Sequence, residues 1–126
     1  MKKEVIFTER APEAIGPYSQ GIAMGDLIFT AGQIPLDPET GWLVEGDIIV
    51  QAKRVLSNVA SVLEEAGSGL ERILRLDVYM TDLGQFKAVN EYLSGVFTDD
   101  PPARVTVEVA GLPMGAEIEI AAIASR

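Results

Sequence analysis

Two hydrophobic periods alternate along the chain, one helical and one of two residues. Between Asp47 and Gly67 the apolar positions are Ile48, Ala52, Val55, Leu56, Val59, Val62 and Leu63. That spacing lines one face of a helix. Asp47 is placed to cap its first turn and Gly67 to end it. "RILRLDVYMTD" then alternates, which puts Leu74, Leu76, Val78 and Met80 on one face of a strand and Arg75, Asp77 and Tyr79 on the other. "LGQFKAVNEYLSGVF" returns to the helical period. Asp82 is its expected cap, and its apolar stripe runs Phe86, Val89, Leu93, Val96 and Phe97, with Asn90 on the edge. After two prolines, "ARVTVEVA" alternates again. Val105, Val107 and Val109 are expected to pack, and Arg104, Thr106 and Glu108 to face the other way. In the final segment, "AEIEIAAIA", Ile118, Ile120 and Ala122 oppose Glu117, Glu119 and Ala121.

Three further strands are expected near the N-terminus, in "EVIFT", "YSQGIAM" and "LIFTAGQIP". Gly25-Asp26 between the last two is a hairpin signal. The order is three strands, helix, strand, helix, two strands. It predicts an α+β fold in which two helices cover one face of a mixed sheet. The 126 residues suit a single domain, 1–126. The second sheet face would carry Arg75, Asp77, Tyr79, Arg104, Thr106, Glu117 and Glu119 beside small and apolar residues. This mixture suggests a face half-covered by another copy of the chain, and subunit interfaces often hold pockets.

Composition narrows the chemistry. The chain has no cysteine and no histidine. Thiolate nucleophiles, imidazole bases, Ser-His-Asp triads and zinc sites built on Cys or His are excluded. No metal or cofactor is expected. The net charge of −9 argues against a nucleic-acid partner, and basic residues pair only at Lys2-Lys3 and Lys53-Arg54. No apolar run reaches membrane-span length, and no apolar stretch follows the N-terminal lysines, so the expected location is cytoplasmic.

Several polar residues could carry chemistry. Arg104 could clamp a carboxylate through its planar fork, or pair with Glu117, Glu119 or Asp77. Glu119 could position water, or belong to that same ion pair. Tyr18 could donate a hydrogen bond, or sit half-buried at a strand start. Asn90 needs a partner, which could be a ligand or a loop backbone. Gly32 marks either a bulge or a place where a ligand approaches the backbone.

Five segments extend this picture over nearly the whole chain: "IGPYSQGI", "LIFTAGQIPLDPETG", "QAKRVLSNVASVLEEAG", "VYMTDLGQFKAVNEYL" and "PPARVTVEVAGLPMGAEIEIAAIA". Together they resemble the Rid family of reactive intermediate deaminases, also called YjgF. The "PAR" and "EIEI" pair is the most specific element. The resemblance implies a chorismate-mutase-like fold, a homotrimer and sites between subunits. It also implies hydrolysis of 2-imino acids or enamines, such as 2-iminobutanoate and 2-iminopropanoate, to 2-oxo acids and ammonia. By the same resemblance Arg104 would hold the substrate carboxylate and Glu119 the attacking water. Tyr18 and Asn90 would shape the pocket, and Ala31, Gly32 and Thr106 would line the substrate site, with the Gly32 N–H on the carboxylate and the Thr106 carbonyl on the water.

Two positions depart from the family pattern. Ala31 stands where deaminases often have Ser, and Thr106 where Cys is frequent. Two alternatives remain at this stage. One is a non-catalytic trimer that binds small carboxylates or a protein. The other is an endoribonuclease or translation inhibitor, which the charge and the lack of histidine disfavour.

Overall fold

The computed structural model describes residues 1–126. Its strands are β1 (Glu4–Ile6), β2 (Gly21–Met24), β3 (Leu27–Thr30), β4 (Ile73–Met80), β5 (Ala103–Glu108) and β6 (Ile118–Ser125). Its two helices are α1 (Ile48–Glu65) and α2 (Phe86–Val96). The strands form one mixed sheet in the order β1-β2-β3-β6-β4-β5. Only β4 and β5 pair in parallel, and α2 makes the crossover between them. The expected α+β class and element order are those observed.

α1 follows its sequence signals closely. Asp47 accepts hydrogen bonds from the Ile49 and Val50 N–H groups. At the other end Gly67 has φ +82°, and the Ser68 N–H closes back onto the Leu63 carbonyl. All seven apolar positions of the helical pattern are buried. They pack on Ile28 of β3, Leu76, Val78 and Met80 of β4, and Ile118, Ile120, Ala122 and Ala124 of β6. One sheet face therefore holds the core. Leu63→Ala here would cost about 2–5 kcal/mol.

Five expectations need correction. Leu74 is exposed, not packed with Leu76, because a register shift between Ile73 and Arg75 leaves it as an extra residue in β4. Asp82 caps a short 3-10 turn, Leu83–Gln85, and α2 begins only at Phe86. Phe86, placed on the apolar stripe by its spacing, is not among the residues packed on the core.

The fourth correction reverses β5. Arg104 pairs with Leu76, and Thr106 with Val78, both core-face residues of β4. Arg104 and Thr106 therefore project towards α2. Val105 and Val107 pair with Asp77 and Tyr79, and project from the opposite face. Alternation was read correctly but its phase was inverted. β5 lies at the sheet edge, where α2 covers less of it, so apolar residues no longer identify the inner side. Glu117 also leaves the open face, since its carboxylate accepts a hydrogen bond from Gln51 of α1 at 2.6 Å.

The open face that remains is largely apolar. Val5, Phe29, Val105 and Val107 are between 38 % and 65 % exposed. They share it with Tyr79, Glu119, Ala121 and the Arg75–Asp77 ion pair.

No helix is long and apolar enough to cross a membrane.

Candidate active site

The seven candidate residues fall into two groups. Tyr18, Ala31, Gly32 and Glu119 line one cleft with Ile15 and Pro113. Arg104 and Asn90 line another, between α2 and β5. Thr106 lies two residues beyond Arg104 on the same strand.

The first group is built by loops braced against the core. Tyr18 lies in the loop before β2, not at a strand start, and its hydroxyl accepts a hydrogen bond from the Ile15 N–H at 3.2 Å. Gln20 holds this region. Its buried amide donates to the carbonyls of Thr8, Ala11 and Pro12, and its Oε1 accepts from the Thr8 N–H. After β3 the chain leaves regular pairing, and Gln33 then bridges Ile120 of β6. Asn58 of α1 fixes the loop that follows by donating to the Ile34 and Leu36 carbonyls, while its Oδ1 accepts from Arg54. Beyond the candidate residues, a buried amide is itself a signal. Asn58 interrupts the apolar arc of α1, and Gln20 follows "GPYS"; each had to find partners.

Gly32 lies outside the strands, so it is not a bulge, and it is a point of close approach to another side chain of the chain. A β-carbon there would lie 2.6 Å from Oε2 of Glu119 and 2.8 Å from its Cδ. The missing side chain makes room for the carboxylate. The Gly32 N–H is exposed and has no hydrogen-bond partner within the chain. Glu119 projects from the open face of β6, opposite Tyr79. Partial burial pushes its carboxyl pKa up from the ordinary value of 4.5. A carboxylate, a free N–H and a phenol thus share one cleft whose remaining walls include Ile15, Phe29 and Pro113.

In the second group Arg104 makes no ion pair, so pairing with Glu117, Glu119 or Asp77 is excluded as its role in the chain. Its Nη2 donates to Oδ1 of Asn90 at 2.5 Å. Asn90 thereby finds its partner in a side chain, not in a loop backbone. The Val109 N–H donates to the Met80 carbonyl, which sets the phase of the parallel ladder. Even-numbered residues of β5, Thr106 among them, then turn their N–H and C=O groups to the free sheet edge.

The two groups do not meet within one chain. No three His, Cys, Asp or Glu side chains gather as they would around a metal ion.

Comparisons with known proteins agree with this architecture. The family model described as Endoribonuclease L-PSP matches residues 8–126. A RutC family protein of Pyrococcus abyssi is 55 % identical over 124 residues, with 98 % of both chains covered. The chloroplastic Reactive Intermediate Deaminase A of Arabidopsis thaliana is 42 % identical, over 99 % of this chain and 67 % of the relative. The crystal structure of Escherichia coli TdcF with bound serine superposes with a TM-score of 0.92 at 41 % identity, covering 98 % of each chain. By a family model over residues 8–126 and relatives matched over nearly the whole chain, the chain belongs to the YjgF/RutC/Rid family.

Proposed function

We propose that the protein hydrolyses 2-imino acids and their enamine tautomers to 2-oxo acids and ammonia, with 2-iminobutanoate and 2-iminopropanoate as substrates. It does so as a homotrimer whose sites join the Arg104 cleft of one copy to the Glu119 cleft of its neighbour. The observation that carries this reading is the state of Arg104: a cation held only by neutral groups in a chain of net charge −9. Such a fork matches a small carboxylate. The exposed apolar sheet face supports association with further copies. The deaminase name of the Arabidopsis relative supports the reaction.

In this mechanism Arg104 and the Gly32 N–H hold the substrate carboxylate. Glu119 and the Thr106 carbonyl hold a water molecule against the imine carbon. Water adds to that carbon, and a proton passes by way of Glu119 to nitrogen. The C–N bond of the resulting carbinolamine breaks, ammonia departs and the carbonyl forms. An imine is electrophilic enough that placement supplies much of the catalysis. Tyr18 and Asn90 complete the hydrogen bonds around the reacting group.

The test generates 2-iminobutanoate in situ with threonine dehydratase and traps it with semicarbazide. The wild type is expected to suppress the trapped product, and Arg104→Ala is not. Equal suppression by both contradicts the arginine's role. No suppression by either favours a second reading, a carboxylate-binding trimer, to which the serine bound by TdcF lends support.

A further inference from the structure

Phe86 is a large aromatic side chain at the start of α2 that does not pack on the hydrophobic core. What lies against it is Arg104, whose guanidinium carbon stands 5.7 Å from the ring centroid. Phe86 and Asn90 are four residues apart on α2, so they share one helix face. The guanidinium carbon lies over the face of the ring while the Asn90 amide oxygen accepts from its Nη2. A second tie fixes this alignment. Glu108, on the same face of β5 as Arg104, accepts a hydrogen bond from the Leu83 N–H at 2.9 Å. The start of α2 is thus pinned to β5 just ahead of Phe86.

We propose that Phe86 is a positioning residue for Arg104, one that sets the direction of the guanidinium and thereby the affinity for a ligand's carboxylate. This rests on the reading of Arg104 as a carboxylate anchor. A flexible arginine on an edge strand has many rotamers, and holding one before the ligand arrives lowers the entropy lost on binding. A carboxylate partner would hold it too, but would also neutralise it. An aromatic face and an amide oxygen hold the cation while leaving its charge for the ligand.

The test measures 2-oxobutanoate binding by calorimetry, together with KM and kcat for imine hydrolysis, in the wild type, Phe86→Leu and Phe86→Tyr. Thermal unfolding of each variant checks that it is folded. Phe86→Leu fills similar space without a π face. It is expected to weaken 2-oxobutanoate about fivefold and raise KM in proportion, with kcat within about twofold of wild type. Phe86→Tyr keeps the ring and is expected to bind as the wild type does. Unchanged binding in Phe86→Leu overturns the proposal, and so does equal weakening in both variants, which would mark a space-filling role. A wild type that binds no 2-oxobutanoate overturns the anchor itself, and the proposal with it.

Discussion

Arg104 and Glu119 project from opposite faces of the same sheet. Glu119 pairs with Tyr79, and Tyr79 with Val107, so all three share the open face. Arg104 lies three residues before Val107, an odd number, and therefore faces α2. β4 runs between their two strands. In the trimer proposed above, a ligand would touch Arg104 of one copy and Glu119 of its neighbour, with the apolar open face beside Glu119 buried between them.

Gly32 and Glu119 are in close steric register, and substitution at Gly32 separates activity from stability. Gly32→Ala places a methyl group 2.6 Å from the present Oε2 position and must displace the carboxylate. Gly32 is exposed and does not lie in the left-handed region, so its backbone accepts alanine. Imine hydrolysis is expected to fall about 100-fold. Thermal unfolding is expected to stay within a few degrees of the wild type (roughly 1 kcal/mol or less). Parallel rate and melting measurements check this.

Glu119 links the site to pH. Burial raises its folded pKa above the unfolded value, so the folded chain takes up a proton before the unfolded chain does. Any stability linked to that proton is fully present below the unfolded pKa and is lost as pH rises through the folded pKa. Glu119→Gln, which cannot ionise, is therefore expected to melt higher than wild type at pH 8, with the gap closing in acid. Activity moves the other way. If the ionised form orients water, wild-type turnover falls on acidification at a higher pH than an ordinary carboxylate would set. Melting curves and rate profiles across pH 4–8 (about the carboxylate range and above) check both signs.

Asn58 is fully buried and joins α1 to the loop after Gly32. Asn58→Ala strips partners from two carbonyls and from Arg54. The expected loss is about 1–3 kcal/mol of stability, read by denaturant titration. Hydrolysis is expected to suffer less than in Gly32→Ala, because Asn58 does not touch Glu119.

The elements with strong local signals were legible in the sequence. α1 could be read from its cap, stripe and terminal glycine because each acts within a few residues. β5 could not be read to its correct face, because period two has two phases and only the packing of α2 decides between them. The same limit hid Phe86, whose spacing matched a core stripe although the ring meets Arg104. The candidate residues were named from motifs. Their division into two clefts depends on sheet register, which joins Glu119 to Tyr79 across 40 residues of chain.

Subunit complementation tests the split site most directly. Arg104→Ala and Glu119→Gln are each expected to be inactive alone in the imine-trapping assay. Unfolded together in equal amounts and refolded, they would form mixed trimers. About one interface in four would then combine an intact Arg104 with an intact Glu119 from its neighbour, by random cyclic assembly. The mixture is expected to recover about a quarter of wild-type activity. If mixed trimers form and no activity returns, Arg104 and Glu119 do not serve one site across two copies.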